Sequence, residues 1–252
     1  MTKIDINAAV EALNEATHYD ALWERFISYL GQMGADLITY HHIAPHHAPD
    51  AGRVDILSYG YPSAWEQFCH EAGLSDYNPI FNMGYTRTDN FRWGEILDHP
   101  KYKDSDTREK KFIDSMKEWM KGDGYMIPVF GPSGRNGYIA AGNLASIEDW
   151  TPDSIQTMKC LSQEFHLRYV KLILSELPSQ ITLDDQEHEI LKQTAMGQGP
   201  QSIADIMGLK RETVESSIDR LMLTMSVGDL PSLMVRAQSL GLIELGALDP
   251  KI

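Results

Sequence analysis

Residues Gly124–Ser146 read GYMIPVFGPSGRNGYIAAGNLAS. Two apolar runs flank Gly131, Pro132, Ser133, Gly134 and Asn136, residues that favour turns because they tolerate or pre-set the backbone angles a reversal needs. The stretch predicts an antiparallel hairpin. C-terminal to it, Pro152–Glu176 is a long amphipathic helical run with Ile155, Met158, Leu161, Phe165, Tyr169 and Leu172 on roughly one stripe. N-terminal to it, SDTREKKFIDSMKEWMKG (105–122) predicts a helix capped by Asp104 or Ser105, with Phe112, Met116 and Trp119 sharing a face. ADLITYHHIA (35–44) and RVDILSYG (53–60) predict two strands joined by a polar loop holding Pro45 and Pro49. The chain opens with two helical patterns, one on Ile6, Ala9, Val10 and Leu13, the other on Leu22, Phe26, Ile27, Leu30 and Met33. Gly31 and Gly34 punctuate the end of the second. Helices alternating with antiparallel strands predict an α+β domain over residues 1–176, an antiparallel sheet sandwiched between helices.

Between the second strand and the central helix lies YGYPSAWEQFCHEAGLSDYNPIFNMGYTRTDNFRW (59–93), with nine aromatics from Tyr59 to Trp93. SAWEQFCHEAG reads as a short helix with Ser63 as N-cap and Gly73 as its stop. Trp65 and Cys69 are then i and i+4, on one face. An indole N–H and a thiol beside Tyr61 suit the lining of a polar-tipped pocket, because buried Trp and Tyr need partners for their polar ends. On residue types alone, core aromatics satisfied by backbone carbonyls are the favoured reading.

Composition sets bounds. The 252 residues carry 42% hydrophobic and 23% charged residues, ordinary for a globular protein, with a net charge of −14 that advertises no polyanion partner. No apolar run is long enough to span a bilayer and no basic-then-apolar N-terminus is present, so no membrane partner and a cytoplasmic location are expected. Cys69 and Cys160 form neither a metal spacing nor a disulfide framework. The four histidines of HHIAPHH (41–47) are expected in a solvated loop rather than at a metal. No cofactor is expected, and no nucleophile–base or phosphate-cradling pattern argues for catalysis.

Leu177–Gln180 (LPSQ) reads as a linker, since the residue before a proline avoids helix and the chain changes character after it. From residue 181 to 252 the pattern is all helical: LDDQEHEILKQTAMG ended by Gly197, PQSIADIMG with Pro200 in its first turn and Gly208 as the break, LKRETVESSIDRLMLTM, and LPSLMVRAQSLG. Helix, short glycine break, helix is the helix-turn-helix arrangement, with the third element as the recognition helix.

These residues carry a resemblance. LDDQEHEIL, SIADIMGLKRETV and AQSLGLIEL resemble the helix-turn-helix of LuxR-type quorum-sensing regulators, through Leu183, Glu187, Glu189, Leu191, Gly197, Ile203, Ala204, Ile206, Gly208, Thr213, Val214 and the closing Gly-Leu-Ile. The aromatic stretch is similar to that family's autoinducer-binding domain. The resemblance implies a small-molecule-binding domain followed by a DNA-binding domain, working as a homodimer through a helix at the position of 152–176. It places Tyr61 and Trp65 where family members hydrogen-bond the acyl and lactone carbonyls of an acyl-homoserine lactone. Pro79, Trp93 and Gly124 fall at further family positions, and Asn143 at one that often contacts the acyl chain.

Two departures bear on the ligand. The family's pocket Asp is Asn78 here, and its second pocket Tyr is Cys69. A carboxylate would accept a charge-assisted bond, whereas Asn can instead present its NH₂ and favour a ligand carbonyl or hydroxyl. An altered signal is therefore expected, an unusual acyl-homoserine lactone or a different small molecule. The last domain departs too. Residues 181–252 hold six Lys/Arg against eleven Asp/Glu, a net of −5, although DNA affinity rests largely on phosphate neutralisation. The expected DNA contacts are Lys210, Arg211, Thr213, Ser216, Ser217 and Arg220. Two readings follow: a ligand-responsive regulator that binds promoter DNA, or a DNA-binding-deficient relative acting by protein–protein association.

Overall fold

The computed structural model describes residues 4–45, 48, 50, 53–84, 86–102, 107–120, 122–176, 181 and 183–243. The chain divides into two compact units. One holds residues 1–43, 54–131 and 135–175; the other holds 176–252 with the short segments 44–53 and 132–134. Leu177–Gln180, the expected linker, lies outside the described residues.

The first unit is built on a five-stranded antiparallel sheet of order β2-β1-β5-β4-β3, from β1 (Leu37–Ile43), β2 (Val54–Tyr59), β3 (Phe91–Arg92), β4 (Asp123–Val129) and β5 (Gly137–Asn143). The expected hairpin is present as β4 and β5, paired from Asp123↔Asn143 to Val129↔Gly137. Ser133 (φ 55°) and Gly134 (φ 76°) turn the chain between them. Because successive strand residues face opposite sides, β1, β4 and β5 each serve two cores. On one side Ile38 and Tyr40 of β1, Ile127 and Val129 of β4, and Ile139 and Ala141 of β5 pack on α1 (Ile6–Asn14), α2 (Tyr19–Gln32) and the long helix α7 (Pro152–Glu176). Phe26 and Phe165 stack there at 4.3 Å, a geometry worth about 1 kcal/mol beyond the area it buries. On the other side Leu37, Met126, Tyr138 and Ala140 face α3 (Ser63–Glu71), α4 (Pro79–Gly84), α5 (Trp93–Leu97) and α6 (Arg108–Trp119). This is the sandwiched sheet that the alternation implied.

Several local expectations change. Pro62, not Ser63, is the N-cap of α3, and Ser63 is the first helical residue. Gly31 lies inside α2, and Gly34, with φ 89°, is the residue that reverses the chain. Thr107 caps α6 by accepting from the Lys110 N–H at 3.2 Å, while Asp104 and Ser105 lie outside the described residues. Trp119 is 41% exposed and does not share the buried face of Phe112 and Met116, since α6 ends there. His41 and His42 are buried strand residues of β1, not a solvated loop; His46 and His47 lie outside the described residues. The α7 stripe of Met158, Leu161, Phe165, Tyr169 and Leu172 is core, with Ile155 at its margin.

The second unit is α-helical: α8 (Asp185–Ala195), α9 (Pro200–Met207), α10 (Arg211–Thr224) and α11 (Leu230–Ser239). A reciprocal cap starts α8, the Asp184 carboxylate accepting from the Glu187 N–H at 2.7 Å and Glu187 accepting from the Asp184 N–H at 3.0 Å. Pro200 opens α9, and Gly208 ends it in the left-handed conformation at φ 66°, which a residue with a Cβ adopts at a cost. Leu191, Leu221, Met225, Leu233 and Ala237 form one apolar cluster; Ile190, Ile203, Ala204 and Val214 form a second that locks α9 against α10.

Candidate functional site

A cavity of about 500 Å³ opens in the first unit against the β1–β2 face of the sheet. Tyr61, Trp65, Cys69, Asn78 and Trp93 all line it, so five of the residues expected to bind ligand are brought together. Tyr61 and Trp65 stack with ring centroids 5.7 Å apart. The Trp65 indole N–H donates to Ser115 Oγ at 3.2 Å, and the Ser115 hydroxyl donates onward to the Phe112 carbonyl at 2.7 Å. Cys69 Sγ lies 4.0 Å from the same oxygen. Burial pushes the Cys69 thiol up and the Ser115 contact pulls it partly back, so the group stays a thiol. Burial likewise drives the Tyr61 phenol up to about 12, the Thr39 hydroxyl opposing and the Glu66 carboxylate adding to the rise. Tyr61 thus keeps its proton and remains a donor at neutral pH.

Asn78 sits at the N-terminus of α4 and is only 6% exposed. Its Oδ1 accepts from the Ile80 N–H at 3.0 Å. Pro79, the first residue of α4, is buried and does not line the cavity. Gly124 and Gly142 also stand back from it, and their role is to admit Trp93. They face each other across β4 and β5. A Cβ on Gly142 would lie 2.3 Å from the Trp93 ring, and one on Gly124 2.7 Å from it. Asp123 fixes the chain on both sides of that indole, accepting from Arg92 Nε at 3.0 Å and from the Gly94 N–H at 3.2 Å. Asn143 points away: its Nδ2 donates to the Gly34 carbonyl at 2.7 Å, and its Oδ1 accepts from the Ala145 and Ser146 N–H groups. It holds a loop rather than lining the cavity.

The strand residues of the lining escaped sequence reading. Thr39, His41 and Ile43 of β1 and Val54, Ile56 and Ser58 of β2 present one face each to the cavity. Period-two alternation alone would have grouped them, but not said which face met a cavity. His41 Nδ1 meets the Tyr138 hydroxyl at 2.6 Å, and its ring stacks on Phe81. Burial, with His42 nearby, lowers His41 to about 4, so it is neutral at pH 7. On the opposite face, His166 Nε2 donates to the Arg135 carbonyl at 2.8 Å, which leaves Nδ1 to accept from the Tyr40 hydroxyl at 2.8 Å.

In the second unit, Lys210, Arg211, Thr213, Ser216 and Arg220 are exposed on or just before α10. Ser217 is 5% exposed and lines one groove together with Gln186, Glu212, Thr213, Ser216 and Arg220. Arg211 Nε pairs with Glu215 at 2.8 Å, and Arg220 pairs with Glu187 at 2.9 Å. Lys210 forms no ion pair with the described residues.

Residues 19–169 match the family described as autoinducer binding domain, and residues 182–237 match that described as bacterial regulatory proteins, luxR family. The chain belongs to the LuxR family of regulators. A curated relative, y4qH of Sinorhizobium fredii, described as an HTH-type transcriptional regulator, is 25% identical over 194 residues. That match covers 76% of this chain and 57% of the relative, so the chain spans little more than half the relative's length. Among solved structures, Escherichia coli SdiA superposes with a TM-score of 0.71 at 15% identity, covering 95% of this LuxR-family chain and 98% of the other. SdiA in complex with octanoyl-rac-glycerol gives 0.70 at 16% identity, over 96% and 98%. CepR2 of Burkholderia cenocepacia, an N-acylhomoserine-lactone-dependent factor, gives 0.52 at 15% identity, over 67% and 94%. At such identities these structures speak to the fold. The family is one of transcriptional regulators. The matches give the association-only reading nothing over the regulator reading. No helix among the described residues is long and apolar enough to cross a membrane.

Proposed function

We propose that this chain is a ligand-responsive transcriptional regulator of the quorum-sensing type, holding a small acyl-bearing signal in the first unit and DNA through α10. The observation that carries the reading is the cavity itself. It has about 500 Å³ of space, walls of Trp65, Trp93, Ile56, Phe81 and Met116, and a few buried polar groups, the mix of apolar wall and sparse polar anchors that small-molecule sites use. The SdiA complex with octanoyl-rac-glycerol supports a single-chain acyl ligand for this fold. Tyr61, Trp65, Cys69, Asn78 and Trp93 are the proposed contacts, with Gly124 positioning Trp93. Lys210, Thr213 and Ser216 are the proposed DNA contacts, and Arg211 and Arg220 join them only on leaving their acidic partners. The active species is a homodimer, which must use surfaces other than the α7 stripe because that stripe is core. Mass spectrometry of what co-purifies with wild type and with Trp65→Ala tests the ligand half. An acyl species present in the first and depleted in the second is the expected result. A folded wild type that takes up no acyl compound, co-purified or added, would overturn it. Mobility shifts over a salt series test the DNA half, where no salt-sensitive shift would leave only protein–protein association.

A further inference from the structure

We infer that Asn78 presents a hydrogen-bond donor to the ligand cavity, so that the signal carries an acceptor oxygen at that point and not an amide N–H. The inference rests on the proposed acyl-ligand reading and deepens it. The Ile80 N–H is one of the first donors of α4, for which the helix itself has no acceptor, and Ile80 is buried, so water does not serve it. Asn78 Oδ1 supplies that acceptor at 3.0 Å. The bond decides which way the amide is turned, because reversing it would set NH₂ against N–H in a buried place. The oxygen is therefore committed to the helix. Nδ2, which has no partner among the described residues, is the polar end left for the cavity that Asn78 lines.

Beside Asn78, neither Tyr61 nor Trp65 commits an acceptor to the cavity, while the Thr39, Ser58 and Ser75 hydroxyls elsewhere in the lining can serve either sense. Tyr61 keeps its phenolic proton. The Trp65 N–H is taken by Ser115, so the cavity offers a bound amide no compensating acceptor from that pair. The carboxylates in the lining, Glu66 and Asp76, belong to exposed residues. A ligand amide N–H brought against Asn78 would meet a donor with a donor; a carbonyl, ester or hydroxyl oxygen would be met by one. Asp at this position would keep the α4 cap, since a carboxylate oxygen also accepts from the Ile80 N–H, while reversing the face shown to the ligand.

The test uses two probes that differ only in that atom: N-octanoyl-homoserine lactone, and its ester counterpart in which oxygen replaces the amide N–H. Their dissociation constants are measured by calorimetry on full-length wild type and Asn78→Asp. The expected result is that wild type binds the ester several-fold more tightly. Asn78→Asp should then reverse the ratio in favour of the amide, a total swing of about tenfold or more, the scale of one correctly or wrongly paired hydrogen bond. A wild type that prefers the amide, or a ratio unmoved by the substitution, overturns the donor assignment while leaving the acyl-ligand reading in place. Binding of neither probe to either protein overturns the donor assignment, and the co-purification test then decides the acyl-ligand reading. The wild-type ratio decides the matter even if the variant proves unstable.

Discussion

Trp65 and Ser115 show how much hangs on single groups in the first unit. Ser115 is the acceptor for the buried indole N–H, so Ser115→Ala leaves that donor unsatisfied. We expect a loss of about 1–2 kcal/mol. All five tryptophans lie in the first 150 residues, so urea unfolding followed by tryptophan fluorescence reports on this unit. Gly142→Ala places a methyl where the Trp93 ring already is, at 2.3 Å. Overpacking of that kind costs about 1–3 kcal/mol, and it should weaken ligand uptake with stability, because Trp93 is a cavity wall. An alanine that changes neither would mean that the glycine pair does not seat the indole. At this scale the i, i+4 relation of Trp65 and Cys69 was legible, being a property of one helix. Ser115 was not, because it stands fifty residues away on α6 and reaches Trp65 only through packing.

Among the elements, α10 is where charge and geometry pull apart. Glu215, one turn after Arg211 on α10, holds its guanidinium at 2.8 Å. Both side chains are substantially exposed, so the pair adds little to stability. It matters instead for what Arg211 can offer a phosphate. Glu215→Gln should leave folding intact, raise DNA affinity and steepen the slope of log K against log salt by about one unit per Arg211 released. An unchanged slope in mobility shifts would show that Arg211 is not held back. The Arg211–Glu215 pair could be read from its spacing; the Arg220–Glu187 pair joins two helices and could not. Strand β1 teaches the same lesson, since the strand itself was legible while the destination of each face was not.

For the first unit as a whole, stability is coupled to pH through histidines that the fold keeps neutral. His166 is fully buried and lowered to about 4, burial outweighing the Arg135 carbonyl that favours its charged form. In the unfolded chain the ring takes up a proton near pH 6.5, so as pH falls the unfolded state binds protons first. Stability from this source is fully present above about 6.5 and is lost progressively toward pH 4. For His166 the loss is on the order of 3 kcal/mol at the acid end, with His41 adding in the same direction. Urea midpoints by tryptophan fluorescence should fall between pH 7 and 4.5, and His166→Gln should flatten part of that fall while lowering the neutral-pH value. A slope identical in the variant would mean that His166 does not titrate on unfolding.

The sequence by itself determined many of the elements: the β4–β5 hairpin from its turn residues, strands β1 and β2 from their apolar runs, the α9 start from Pro200, and the α9–α10 turn from Gly208. Each depends on chemistry within a few residues, where period, capping and backbone preference act without help from the rest of the chain. Tertiary structure decided what those elements bring together. It put Thr39, His41 and Ile56 beside Trp65, turned Asn143 away to hold a loop, and buried Ser217. It also settled the sense of Asn78, because which end of an amide faces a cavity depends on which buried donor competes for its oxygen. That donor is the Ile80 N–H, and it has no acceptor within the helix because it lies in the buried first turn of α4, so it takes Asn78 Oδ1.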